Sequence, residues 1–261
     1  MDRSSYKLYH KDDELHDSRA MLETYCSENP DTPFIHSIKL IMEKMHNAFS
    51  IGHITGKLLI DVSGGPLIHH LYSACEFFKE IILMRTNEQC IMEIRKWQND
   101  CTGAFSWGHM TAHVTDLEGR SDESEVKEMK LKSTISQVIK FDPETESLTD
   151  QIGVPQADCV ITMWLLDVIC KDQDDYMRNL RKILKFLKPG GYLFLLGVDN
   201  GSYYTVGGQR FHIFTCDEHF VRNALVAEGL TILQCEVAPK KSKSDLTDYD
   251  GGLFIIACKP K

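Results

Sequence analysis

Nowhere in the 261 residues does an apolar run approach the length of about twenty that a membrane-crossing helix requires. The opening stretch, MDRSSYKLYHKDDELHD, is polar and has no apolar core of signal-peptide length. These absences predict a soluble, cytoplasmic chain with no membrane partner. Positive charge is also in short supply: 29 Lys and Arg stand against 38 Asp and Glu, a formal net charge of −9, which excludes long-range attraction to a phosphate backbone and so nucleic acid as a partner. The nine cysteines, Cys26, Cys75, Cys90, Cys101, Cys159, Cys170, Cys216, Cys235 and Cys258, include no C-x-x-C pair. Scattered and odd in number, they read as small buried thiols in a reducing compartment, against disulfides or a metal knuckle. There is no G-x-S-x-G elbow, no Walker-type phosphate loop, no internal repeat and no low-complexity linker. His109, His113 and Asp116 have a spacing that would suit a metal on a helix, but GHMTAHVTD reads as extended, so no metal site is expected.

What is present is an alternation of short apolar runs and amphipathic stretches. Residues 32–50 place Phe34, Ile38, Ile41, Met42, Met45 and Phe49 on one helical face, a cap for the mouth of a sheet. LLIDV (58–62) and EIILM (80–84) suit buried parallel strands, with a helix between them starting near Pro66, a favoured early-helix position. NEQCIMEIRKW (87–97) is the next helix, with Ile91, Ile94 and Trp97 inward. The mixed-sign tract 116–132 is a solvated loop entering a helix. Third and fourth strands are expected at 136–142 and 157–166. A helix over about 174–187, a Lys-Pro-Gly-Gly turn and a fifth strand come next. The remainder is helix (HFVRNALVAEGL), strand (LTILQCEV), polar loop and closing strand (LFIIACK). The pattern predicts one α/β domain, Rossmann-like and doubly wound: a mostly parallel seven-stranded sheet with an antiparallel edge strand, residues 1–50 forming N-terminal cap helices and 51–261 the core.

Residues 56–85, GKLLIDVSGGPLIHHLYSACEFFKEIILMR, hold the sharpest chemical signal. Strand, glycine turn, helix and strand make a nucleotide-binding unit, and such units end in a carboxylate that accepts from both ribose hydroxyls. Here that position is Arg85, which has five donors and no acceptor. A guanidinium there also suits a phosphorylated ribose, although no apparatus for hydride transfer accompanies it.

The element order, the Asp61-Val62-Ser63-Gly64-Gly65-Pro66 turn and the Lys188-Pro189-Gly190-Gly191 turn resemble class I S-adenosylmethionine (SAM)-dependent methyltransferases. More narrowly, the chain is similar to the small-amine branch with nicotinamide, indolethylamine and phenylethanolamine N-methyltransferases. LLIDVSGGPLIHHLYSACEFFKEI, RKW, DLEG, ADCVIT, LLDVIC, LRKILKFLKPGGYLFLLGVDNGSYYTVGGQRF and GGLFIIACK carry that likeness. It implies SAM at the carboxyl edge of the sheet, an amine under a lid near Tyr203 and Tyr204, and direct displacement of the sulfonium methyl by nitrogen. That reaction depends on alignment more than on acid or base.

The resemblance implies cofactor positions at Tyr25, Ser63, Gly64, Gly65, His69, Arg85, Thr86, Cys90, Asp142 and Met163, and substrate positions at Asp167, Gly197, Asp199, Tyr204 and Ile213. At many of them this chain departs from the family pattern. Ser63 stands for the first glycine and Gly64 for the serine. Met84-Arg85-Thr86 replaces Thr-Asp-Tyr, and Cys90 replaces an asparagine. His69 replaces a tyrosine, and Met163 a threonine. The paired lid tyrosines are reduced to Tyr25, with Met21 and Cys26 alongside. On the amine side a carboxylate aligns with Gly197, Asp199 could substitute only after a loop shift, and a serine is replaced by Ile213. Asp61, Gly65, Pro66, Asp142, Asp167 and Tyr204 are retained; Asp142 is either an adenine contact or a turn cap before Pro143. His69 and His70 read as helix-surface or pocket residues. A change of substrate would leave cofactor contacts alone, and here they are what changed. The expectation is a family member without SAM binding or catalysis, with no cofactor bound, acting in binding, storage or assembly through protein partners or self-association. The alternative is an active SAM-dependent methyltransferase of a small amine or pyridine, with Arg85 swung outward and the ribose held by Glu88 or Asn87. No catalytic residue is assigned.

Overall fold

The computed structural model describes residues 6–11, 13–28, 34–52, 54–145, 153–241 and 244–261. The expected helix start at 32 and positions 242–243 of the polar loop lie outside them.

Apolar runs at β1 (Gly56–Val62), β2 (Phe78–Arg85), β4 (Ala157–Met163) and β5 (Leu187–Asp199) are buried over most of their length, as central strands covered on both faces must be. Together with β3 (Ile135–Lys140), β8 (Thr231–Pro239) and β9 (Gly251–Cys258) they form a seven-stranded sheet in the order β3-β2-β1-β4-β5-β9-β8. Neighbours from β3 to β5 pair in parallel, and β9 runs against both β5 and β8. The reversed strand is therefore one in from the edge. Strand order reverses between β1 and β4, so the carboxyl ends of those strands open a crevice there.

The first two helices are α1 (Ser18–Cys26) and α2 (Ile35–Gly52). Asp17 starts α1, its side chain accepting from Ala20 N–H at 2.9 Å. Phe34, Ile38, Met42, Met45 and Phe49 are buried and Ile41 is half-buried, and Phe49 stacks on Phe194 of β5 at 4.9 Å. The cap helix predicted from periodicity is thus docked on the sheet by its apolar face. α4 (Glu88–Gln98) begins at Asn87, whose Oδ1 accepts from Gln89 and Cys90 N–H, and buries Ile91, Ile94 and Trp97.

Several expectations require correction. Pro66 sits in a run of turns, and the helix between β1 and β2 is only Leu71–Ala74 (α3), because β2 already starts at Phe78. Strand β4 stops at Met163 rather than 166: Trp164 adopts a left-handed conformation (φ 57°) and a short helix, Leu165–Ile169, succeeds it. GHMTAHVTD is helical, within α5 (Gly108–Leu117), since burial of Met110, Thr111, Val114 and Thr115 obeys a helical period. Its histidines do not converge on a metal: His109 Nε2 lies 2.8 Å from the Cys26 carbonyl oxygen, His113 faces Glu43 at 3.7 Å, and no metal-holding cluster occurs among the described residues. The helix expected at 174–187 is Gln173–Leu184. Lys188–Gly191 bulges out where the pairing of β5 with β4 jumps from Leu187 to Tyr192. An antiparallel hairpin of β6 (Tyr203–Val206) and β7 (Gln209–His212) adds to the expected elements. Among the cysteines Cys101 is exposed, Cys235 and Cys258 half-buried, and six buried; none of the nine is in a disulfide.

Candidate functional site

The carboxyl ends of β1 and β2 are closed by the side chain that the sequence marked as anomalous. Arg85 is fully buried, turned inward onto Asp61, with Nη2 2.6 Å from Asp61 Oδ2. Nη2 also donates to Leu67 O at 3.0 Å, and Nη1 to Asp61 O at 3.1 Å and Met84 O at 2.9 Å. The guanidinium therefore spans the loop after β1 and ties it to β2. Asp61 Oδ1 accepts from Ser63 Oγ at 2.5 Å and faces His70 Nε2 at 2.9 Å. Burial works against ionisation of Asp61, yet Arg85 and His70 beside it hold its carboxyl well below the usual carboxylate range. The outward Arg85 of the alternative expectation is not what the structure has. Asn87 is engaged in capping α4, and Glu88 is exposed.

The glycine turn is filled from a second direction. Gly65 N–H donates to the hydroxyl of Tyr9 at 2.8 Å, and Tyr9 Oη lies 3.5 Å from Cys90 Sγ, which Ser18 Oγ approaches at 3.2 Å. Segment 6–11 is held there by Lys7, whose N–H donates to Arg210 O at 2.9 Å while its carbonyl accepts from His212 N–H at 2.8 Å. His16, completely buried, packs among Tyr9, Tyr204 and Phe211, and neither ring nitrogen has a hydrogen-bond partner among the described residues. Burial pulls its pKa down to about 4. Ser63 Oγ accepts from Met163 N–H at 3.0 Å, so the serine that replaces glycine joins β1 to β4. His69 is buried rather than on a surface, and among the described residues neither its nitrogens nor the buried Thr86 Oγ1 has a hydrogen-bond partner.

Beside this packed region lies a cavity of about 210 Å³, lined mainly by apolar side chains. Tyr25, Gly64, Gly65, Asp167, Gly197, Tyr204 and Ile213, all singled out from the sequence, line it; Ser63, His69, Arg85, Thr86, Cys90, Asp142, Met163 and Asp199 do not. Four of the five predicted substrate positions thus line the cavity, with three of the ten predicted cofactor positions. Asp199 Oδ1 accepts from Glu218 N–H, so this carboxylate is occupied at the start of the helix Glu218–Ala227. Asp142 is exposed, its Oδ1 accepting from Glu144 N–H at 2.9 Å, which is the turn-cap arrangement.

Asp167 is the carboxyl group of the cavity lining. Its donors are Val198 N–H at 3.2 Å and its own backbone amide, too few to offset burial, which raises its pKa to about 7. A side chain at Gly197 would place Cβ 3.1 Å from Asp167 Oδ1, so the glycine makes room for this carboxyl. Tyr9 and Arg85 are the participants that sequence reasoning missed or misoriented. A tyrosine in a polar segment carries no signal of its target, and a side chain's direction is not written in its position.

A family model, described as the NNMT/PNMT/TEMT family, matches residues 8–260. The chain belongs to that family. Human nicotinamide N-methyltransferase is 34% identical over 222 residues, 85% of this chain and 84% of the relative. Mouse indolethylamine N-methyltransferase is 32% identical over the same shares, and human phenylethanolamine N-methyltransferase 29% identical over 81% of this chain and 76% of the relative. Among solved structures, the N-methyltransferase NodS from Bradyrhizobium japonicum WM9, in complex with S-adenosylhomocysteine, aligns over 94% of this chain and 98% of its own with a TM-score of 0.54 at 11% identity. The [4+2]-cyclase SpnF aligns over 98% and 97% with a TM-score of 0.57 at 14% identity. At such identities these two establish the fold alone. As an NNMT/PNMT/TEMT member, the chain carries the family's sheet and crevice, with Arg85 and Tyr9 packed into the turns that line it.

Proposed function

We propose that this chain is a family member that has given up SAM binding and methyl transfer and acts as a non-catalytic binding, storage or assembly protein. The observation that carries this is the buried Arg85–Asp61 pair. The residues present do not fit the cofactor. A ribose would meet a guanidinium that has no acceptor to offer, and the Gly65 amide is already engaged by Tyr9. If each lost polar contact is worth about 1–3 kcal/mol, losing several weakens binding by about a thousandfold or more. Titration calorimetry with SAM and S-adenosylhomocysteine on wild type and Arg85→Asp tests the reading. It predicts no binding to wild type and partial recovery in the variant; micromolar binding to wild type would overturn it.

A second reading, an active methyltransferase of a small amine or pyridine, is favoured by the retained cavity at Gly64 and Gly65, with Asp167 in its lining. SAM, when bound, would supply the methyl group at the carboxyl edge of the sheet, and Asp167 would orient the accepting nitrogen. SAM-dependent methylation of nicotinamide or tryptamine by the purified protein would establish this reading instead.

A further inference from the structure

Charges around the cavity are not those of an amine pocket. Three lysines, Lys44, Lys240 and Lys241, line it against one carboxyl group, Asp167, whose pKa burial raises to about 7, so that it is only partly ionised at neutral pH. Lys44 is paired with Glu236 and lies over the Phe254 ring. Lys240 and Lys241 have no carboxylate partner among the described residues. Lys240 is half-buried. Its Nζ donates to Thr247 O at 2.6 Å and Ser244 O at 3.3 Å and lies 4.9 Å from the Tyr249 ring centroid, so that among the described residues one of its three N–H groups has no hydrogen-bond acceptor. Thr247, only 6% exposed, also lines the cavity, and its hydroxyl has no hydrogen-bond partner among the described residues. A buried unpaired hydroxyl is unfavourable, and here it accompanies an ammonium with a donor to spare. The rest of the lining is largely hydrocarbon and aromatic, including Ile38, Leu196, Ile213 and Leu253. A dry apolar cavity of about 150 Å³ holds benzene, so about 210 Å³ suits an aryl ring with a short chain.

We infer that the cavity takes a small apolar monocarboxylate, its aryl or hydrocarbon body among Ile38, Leu196, Ile213 and Leu253 and its carboxylate on the Lys240 ammonium and the Thr247 hydroxyl. This names the ligand of the cavity that the non-catalytic reading leaves in use, and it rests on that reading. An ammonium in the same place would face lysines and lose its water, with one buried acid as its counter-ion.

The test is calorimetric titration of the full chain with 4-phenylbutyrate, 4-phenylbutylamine and 4-phenylbutanamide at pH 7. The acid binds tightest, by about tenfold over the amine, because a charge-assisted bond to Lys240 is at stake. Lys240→Met weakens the acid by about tenfold and leaves the amide unchanged. Since that variant also releases the loop carbonyls of Ser244 and Thr247, Thr247→Val serves as the shape-conserving partner and weakens the acid by about fivefold. An amine that binds as tightly as the acid, no binding of the acid at millimolar concentration, or unchanged acid affinity in both variants would each overturn the inference. S-adenosylhomocysteine titrated into the same preparation keeps the two failures apart. Its binding at micromolar concentration removes the non-catalytic reading, whereas the ranking of acid over amine decides the ligand class.

Discussion

Replacing Arg85 by methionine keeps the apolar stem and deletes the guanidinium, which isolates what the buried pair contributes. The variant loses the 2.6 Å contact to Asp61 and leaves the carbonyls of Asp61, Met84 and Leu67 without these donors. Removing one partner of a buried ion pair costs about 3–5 kcal/mol, since the surviving charge stays desolvated. Asp61 keeps Ser63 and His70 as partners, which sets the expected loss at about 4 kcal/mol. At about 2–4 °C per kcal/mol for a chain of this size, the melting temperature falls by about 8–16 °C. Urea unfolding followed by circular dichroism at pH 7 measures the difference. Adding Asp61→Asn to the same variant removes the unpaired charge, so the double variant recovers about 2 kcal/mol of the loss. The sign with pH is also fixed. Asp61 is held below its unfolded pKa in the folded protein, so its contribution is present above about pH 4 and disappears as pH falls further. Wild type and Arg85→Met should therefore converge in acid. A single variant within 1 kcal/mol of wild type at pH 7, on the order of the error of such measurements, or a double variant that is merely additive, would refute the argument.

Two further outcomes concern titration in the interior. Asp167 is raised in the folded state to about 7, so stability falls as pH rises from about 4 to about 7, by about 4 kcal/mol in all. Asp167→Asn lacks that slope and melts above wild type at pH 8, while the two are close at pH 4; parallel melting curves across the range would contradict this. His16 is depressed to about 4 and costs stability as pH falls from about 6.5 towards 4, by about 3 kcal/mol. His16→Phe, which leaves no unpartnered nitrogen among Tyr9, Tyr204 and Phe211, should resist unfolding at pH 5 better than wild type, as read from thermal melts.

Most of the sheet was legible because strands buried on both faces are mainly apolar: 58–62 and 80–84 fall within β1 and β2, and the run at 157–166 contains β4, which ends three residues earlier, at Met163. The helix α5 was not: His109, His113 and the β-branched Thr111, Val114 and Thr115 mimic a strand, and the apolar face that decides the matter is defined only by neighbours. The hairpin Tyr203–Val206 and Gln209–His212 did carry a signal, the adjacent Gly207 and Gly208, both at positive φ, as a two-residue hairpin turn requires. At the site, the sequence revealed which residues stand at the ends of β1, β2 and β4. It could not reveal that Arg85 folds inward, because a long side chain reaches solvent and interior equally well, nor that Asp167, on the short helix after β4, would lie against Gly197 of β5.

Segment 6–11 is made by the ribosome long before the residues that hold it. Lys7 pairs with Arg210 and His212, some 200 positions later, and Tyr9 reaches Gly65 across 56. Contacts of such separation carry a large loop-closure entropy and form after local ones. During synthesis, therefore, the glycine turn is exposed for as long as the second half of the chain takes to emerge, and the tyrosine that covers it docks among the last events of folding.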